Sequence, residues 1–202
     1  MNHVTFLNHP WHQLKFLSVS PLAQLTAPAD RLEIATRLAG AGVFMNWPSG
    51  FRNPDRLPQT RAYLAMPGRG PVSRFSNGTF RVIYAAKAHE TCLAEMAHHH
   101  GQALRDSREP PGAARIFEAL DLRTAGTFVD IRMGHGELHR PADYGPARAL
   151  GMTCKVNREA GIVYRSVRKK GGECLAVLEG STLRTCVLRE IIAMRWDGER
   201  LA

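Results

Sequence analysis

Residues 73–95 read SRFSNGTFRVIYAAKAHETCLAE, and this stretch decides the fold class. Asn77-Gly78 ahead of β-favouring residues reads as a turn feeding a strand, and the apolar run from Phe80 to Ala86 supplies that strand. Ala88 to His100 has the composition of a helix. A polar loop carrying Arg74, a strand ending on Tyr84 and a helix carrying Glu95 are thereby joined in one local unit. It brings a cation, an aromatic ring and a carboxylate within reach of each other.

Downstream of this unit the elements do not alternate as they would in a doubly wound sheet. Arg115 to Leu122 and Thr127 to Ile131 read as strands separated by a turn at Ala125-Gly126. Gly134 to Pro141 reads as a loop. Pro146 fits the first turn of a helix capped by Asp143 and running to about Glu159. Three β-like runs follow, Ile162 to Val167, Glu173 to Leu178 and Leu183 to Ile192, with Gly171-Gly172 as the turn of a hairpin between the first two. The expected class is α+β, with a mixed or antiparallel β core and flanking helices. Gln102 to Gly112, with Pro110-Pro111, reads as a poorly ordered loop.

Upstream, Met1 to Thr26 shows no sustained periodicity and predicts irregular packing on the core or against a partner. Ala29 to Ala39 predicts a helix, with Asp30 as cap and Leu32, Ala35 and Leu38 on one face. Prolines 48, 54, 58 and 67 argue for a long loop from Gly42 to Gly70, with at most a short strand over Arg61 to Met66.

The 202 residues, 44% of them hydrophobic, suffice for one substantial core, and no linker marks a second domain, so residues 1–202 read as a single domain. A formal charge of +9, from 27 Lys and Arg against 18 Asp and Glu, favours an anionic partner without naming it. Cys92, Cys154, Cys174 and Cys186 form no Cys-x-x-Cys pair, which argues against a zinc ribbon or thioredoxin-type site. The N-terminus lacks a signal-peptide pattern, and no run approaches the roughly 20 apolar residues of a membrane span. The chain is expected to be soluble, cytoplasmic and free of disulfides.

On the predicted helix, Leu93, Met96 and Ala97 define an apolar side, and Glu95 projects nearly opposite. The plain reading of Glu95 is a solvated carboxylate. The sharper one is that its face lines a cleft, with Thr91, His98 and His99 as neighbours. Consecutive histidines at 98–100 point in different directions and carry no metal-ligand spacing. Alternation places Ile162, Tyr164 and Ser166 on one strand face and Val163, Arg165 and Val167 on the other. Ser166 sits in no nucleophile elbow. Arg168-Lys169-Lys170 reads as a solvated turn or, near a site, as a phosphate contact. No Walker loop, dinucleotide fingerprint or RNA-recognition signature is present.

Four segments taken in order, Ser73-Arg74-Phe75-Ser76-Asn77-Gly78, Tyr84-Ala85-Ala86, Glu90 to Glu95, and Gly161 to Arg168 followed by Gly171 to Cys174, resemble the RES-domain family. Its eponymous Arg, Glu and Ser match Arg74, Glu95 and Ser166. The resemblance covers about residues 61–200, with residues 1–60 matching less clearly. It implies a fold like a small ADP-ribosyltransferase, and a toxin of a toxin-antitoxin pair that consumes NAD as hydrolase, phosphorylase or protein modifier. NAD is then the substrate, no metal is needed, and the partner is a cognate antitoxin with a helix-turn-helix, through which alone nucleic acid is met. Glu95 and Arg74 are the implied catalytic residues, and Arg74, Tyr84, Ser166 and Arg168 the substrate-binding ones. The chain departs from the family pattern at Ala147-Arg148, where many members carry Ser-Gln, and at Arg81, where a Gly is common. The competing expectations are a basic nucleic-acid-binding or RNase-like module, and a RES-like chain without turnover.

Overall fold

The long N-terminal strand shows how bulges hide a pattern. In the computed structural model, which describes residues 1–16, 55–66 and 68–202, with nothing said of the side chain of residue 191, β1 spans Asn2–Phe16. Its pairing with β3 slips between Phe6 and His9, where three steps on β1 oppose two on its neighbour, a β-bulge. Before the bulge Val4 and Phe6 face one side of the sheet, and after it Trp11 faces that same side. The inward parity thus switches from even to odd, so residues 2–16 of the segment that reads as irregular in sequence form one strand, paired with β3 on both sides of the bulge.

Further strands are β2 (Ile83–Ala86), β3 (Ala114–Asp130), β4 (Gly161–Arg165), β5 (Glu173–Val177) and β6 (Leu183–Arg195). The order is β1-β2-β5-β4-β3-β6, and β1 also pairs with β3, so hydrogen bonding runs in a closed circuit with β6 attached outside it. All pairings are antiparallel except β3 with β4. The fold is α+β, and the hairpin turning at Gly171-Gly172 joins β4 to β5 as expected.

β3 is continuous through Ala125-Gly126, where the sequence predicts a turn. Along one edge it pairs with β6 up to Thr124 and with β4 from Val129. Gly126 lies at this handover with φ +147°, and a Cβ there would sit 3.4 Å from Thr182 Cγ2 and 3.6 Å from Ala160 Cβ. The glycine therefore serves a change of partner rather than a reversal of the chain.

Among the described residues three helices flank the sheet, α1 (Leu57–Ala65), α2 (His89–Asp106) and α3 (Gly145–Val156). α1 replaces the predicted loop or strand over 61–66. Pro58 falls in its first turn, where the missing N–H costs nothing, and Asp55 Oδ1 accepts from Leu57 N at 2.8 Å. α2 runs six residues past His100, through part of the expected loop. Leu104 is fully buried there, and Gly101 permits close approach to Trp196, whose ring would lie 3.6 Å from an added Cβ. α3 begins as expected around Pro146, with Asp143 Oδ1 accepting from Gly145 N at 3.0 Å. The loop expected over 134–141 contains a 3-10 turn at Gly136–His139. The helix expected at 29–39 and prolines 48, 54 and 67 lie outside the described residues.

The sheet separates two apolar clusters. Tyr164, Ala176, Cys174 and Ile162 face α2 and α3 with Phe75, Leu104 and Leu150, whereas Val163, Leu175, Ile83 and Ala85 face α1 with Leu64 and Trp11. At one corner Arg132 ties β3 to β5, donating to both oxygens of Asp130 (2.9 and 2.7 Å) and to Glu173 Oε2 (2.7 Å), while Lys87 donates to Glu173 Oε1 (3.0 Å). Arg132→Ala is expected to lower stability by about 1–2 kcal/mol and Tm by roughly 2–8 °C. An unchanged Tm at low salt would show the network to be idle.

Candidate active site

Glu95 comes to its place because α2 buries Leu104 and the packed sides of Leu93, Met96 and Ala97 on the core, leaving the opposite face to meet the β4–β5 turn. Thr91, one turn earlier on that face, is 2% exposed and lies so close to Gly172 that a Cβ there would be 2.7 Å from Thr91 Cγ2. The turn can therefore seat its backbone against the helix. Ser166 N donates to Gly172 O, holding the residue just past β4 toward α2.

There the Ser166 hydroxyl donates to Glu95 Oε1 at 2.6 Å and accepts from Arg168 N (3.1 Å) and Lys169 N (2.9 Å). Its one proton and both lone pairs are committed. Ser166 thus orients the carboxylate, and the structure brings these two sequence-predicted residues into direct contact. Cys174 Sγ lies 3.9 Å from the same Oε1. The other oxygen, Oε2, lies 3.8 Å from His99 Nε2.

Arg168 extends this group. Its Nη2 donates to Pro141 O (2.8 Å) and to Tyr144 Oη (3.3 Å), and its Nε is buried without a hydrogen-bond partner among the described residues. The Tyr144 ring in turn carries the Arg74 guanidinium at 4.3 Å and that of Arg148 at 5.6 Å. Arg74 is 8% exposed, and its Nη1 donates to Leu138 O and Arg140 O at 3.2 and 3.1 Å. Arg74 and Glu95 therefore belong to one connected group, Arg74–Tyr144–Arg168–Ser166–Glu95, linked through the Tyr144 ring, the side chain and backbone N–H of Arg168 and the Ser166 hydroxyl rather than by direct contact.

Tyr84 adjoins it. Its hydroxyl is 2.8 Å from Ser73 Oγ and accepts from Phe75 N at 3.1 Å, and its ring lies 6.5 Å from that of Phe75. Burial raises the phenol pKa, against the opposing bonds from Ser73 and Phe75 and the charge of Arg74. Tyr144 and Arg148 are absent from the sequence-predicted site. An aromatic residue directly before a Pro-initiated helix was the available signal for Tyr144. Arg148 Nε holds Ser73 O at 3.0 Å, so the departure at Ala147-Arg148 braces the Arg74 segment. The other departure, Arg81, precedes β2, and its guanidinium rests 5.0 Å over the Tyr63 ring of α1.

Burial, then the charges of Arg168 and Arg74, lowers the His99 pKa; burial followed by Arg168 and His99 lowers that of His98. His139 is lowered too, by burial first and then by Arg165 and Arg74, against a raising bond to His135 O. A folded pKa below the unfolded value means that the unfolded chain binds more protons in the window beneath 6.5. Stability is expected to be level between about pH 7 and 8 and to fall as the pH drops below 6.5, and His99→Gln should reduce that slope in urea titrations at pH 7.5 and 5.5. An equal or steeper slope in the variant would contradict it. Among the described residues no group of three His, Cys, Asp or Glu is placed to hold a metal ion. All four cysteines are free and buried, and burial pushes Cys92 up to about 12 and Cys154 up to about 11, so these thiols stay protonated. No described helix is long and apolar enough to cross a membrane.

The fold and this group define an α+β protein with a hydroxyl-oriented carboxylate and a stack of guanidinium and phenol groups on one face of a mixed sheet. The RES domain model matches residues 51–197, well over half of the chain. The chain belongs to the RES-domain family. Among solved structures, a chain of the M. tuberculosis MbcT-MbcA toxin-antitoxin complex is similar, at 15% identity and a TM-score of 0.46, with 82% of this chain and 92% of that chain covered. No curated protein sequence matches.

Proposed function

We propose that this chain is a toxin of a toxin-antitoxin pair that cleaves the nicotinamide-ribose bond of NAD and is neutralised by a cognate antitoxin protein. The observation that carries the reading is the Ser166-to-Glu95 hydrogen bond of 2.6 Å, which fixes one carboxylate oxygen and leaves the other to face a substrate. Family membership supplies the context. In this reaction the C1′–N bond breaks, its electron pair leaves with neutral nicotinamide, and positive charge develops on the ribose. An anchored carboxylate lowers the energy of that charge or holds the ribose hydroxyls. A new C1′–O bond forms to water, phosphate or a protein side chain, and the acceptor's proton passes to solvent.

In this reading Glu95 contacts the ribose, and Ser166 acts through Glu95. Arg168 suits an oxygen of the ribose or a phosphate, since its buried Nε has a hydrogen bond still to give. Arg74 and Arg148 hold the Tyr144 ring, and Tyr84 lies behind them as a platform for the nicotinamide ring. The antitoxin is proposed to carry a helix-turn-helix and to be the chain's only route to nucleic acid, with both proteins in the cytoplasm.

The nucleic-acid alternative gains no support from the basic run, because Arg168 is bound to Pro141 and Tyr144 and Lys169 pairs with Glu90 at 3.2 Å. The test is to incubate the purified chain with NAD, with and without phosphate, and follow nicotinamide release and the ADP-ribose product by mass spectrometry. Release of nicotinamide is expected, and the product mass identifies the acceptor. Intact NAD after prolonged incubation overturns the reading.

A further inference from the structure

Where α1 and α3 come together at the margin of the sheet, a recess of about 520 Å³ is lined by α1, Gly68, Thr79 to Arg81, Lys155 at the C-terminal end of α3 and the chain that follows β5. Among the described residues three cations reach it, Arg61, Arg81 and Lys155, against one carboxylate, Glu179. That carboxylate is already taken, since Lys155 Nζ donates to Glu179 Oε1 at 2.7 Å and to Leu178 O at 3.0 Å. Arg61 is aimed by its Nη2, which donates to Leu183 O at 2.6 Å. The Arg81 guanidinium rests over the Tyr63 ring at 5.0 Å, and its Nε is buried with no hydrogen-bond partner among the described residues.

A buried guanidinium N–H without an acceptor is costly, and like charges gathered in one recess repel each other. Both penalties vanish when an oxyanion enters. The planar donor fork of arginine matches phosphate oxygens, and the Ser181 hydroxyl on the rim adds a neutral donor. Leu64 and Phe80 form an apolar wall beside the charged one, and the volume falls within the range of small-molecule sites.

We infer that this recess, built on Arg61, Arg81 and Lys155, is a binding site for a small phosphate-bearing anion, separate from the site around Glu95. The chemistry shared by inorganic phosphate, pyrophosphate and a nucleoside diphosphate is what it recognises. The ligand is bound, not turned over. The inference stands on the cations and the orphaned Arg81 Nε and is independent of any reaction at Glu95.

The test is calorimetric titration of the full chain with inorganic phosphate, pyrophosphate and ADP at fixed ionic strength, in the native sequence and in Arg81→Gln, Arg81→Lys and Arg74→Ala. A saturable event is expected that weakens about tenfold or more in Arg81→Gln, weakens less in Arg81→Lys, and persists in Arg74→Ala. The ranking of the three anions shows whether a lone phosphate suffices or the apolar wall adds affinity. An event lost in Arg74→Ala but kept in Arg81→Gln assigns the anion to the other site and overturns the inference. No saturable event, or heat reproduced by chloride, overturns it as well. Should Arg81→Gln fail to fold, Arg61→Gln is read in its place, and thermal unfolding with and without pyrophosphate gives a second readout: the native chain shifts upward and the variant does not.

Discussion

In Glu95→Gln, nicotinamide release from NAD is expected to fall by at least about a hundredfold, with little change in thermal unfolding. The substitution keeps the shape of the side chain, and the amide oxygen still accepts the Ser166 hydroxyl that now reaches Oε1 at 2.6 Å. What disappears, in the proposed reaction, is the negative charge that Glu95 turns toward the ribose carbon as the leaving group departs. Ser166→Ala should cost less, roughly tenfold, because the charge survives and only its orientation is loosened. It should also change the pH profile, since the hydrogen bond that steadies the carboxylate is gone. A Glu95→Gln variant with an unchanged rate would remove the carboxylate from the mechanism. A rate loss accompanied by a collapsed melting transition would assign Glu95 to folding instead.

Gly151→Ala is expected to be the most disruptive single-methyl change at the site. An added Cβ would sit 1.9 Å from Phe75 O, 2.7 Å from Phe75 C and 3.0 Å from Phe75 Cα, all backbone atoms of the residue after Arg74. Phe75 cannot retreat freely, for its ring is fully buried and lies 5.0 Å from that of Tyr164. Overpacking of this kind costs about 1–3 kcal/mol, against which the better helix propensity of alanine returns about 1 kcal/mol. Either α3 or the Arg74 segment must move, and both carry the contacts that hold the Tyr144 ring. A lowered Tm together with a disproportionate loss of nicotinamide release is the expected outcome. Gly136→Ala, where nothing lies within 4 Å of the new methyl, is the control. A Gly151→Ala chain more stable than the native one, with full activity, would show that the Phe75 backbone gives way without consequence.

The parts of the site legible in sequence are those whose geometry is local. Glu95 opposite Leu93 and Ala97 follows from 3.6 residues per turn, and Ser166 on the Tyr164 face follows from alternation along β4. Their meeting required only that the β4–β5 turn pack on α2. Tyr144 escaped notice because its role depends on Arg74 and Arg168, which are distant in the chain, and no periodicity encodes such a stack. Arg81 lies two residues ahead of β2 yet rests on the Tyr63 ring of α1, a contact that no local pattern encodes.

The sequence by itself determined the α+β class, the loop-strand-helix unit of residues 73–95 and the hairpin at Gly171-Gly172, because turn chemistry and side-chain periodicity act over a few residues. Only the tertiary structure decided that residues 2–16 form a strand, that β3 passes straight through Gly126, and that α2 continues to Asp106. A bulge reverses the apparent pattern of the first, a change of pairing partner explains the second, and burial of Leu104 beside Trp196 sustains the third. Each is settled by contacts with parts of the chain far away in sequence, where local propensity has no reach.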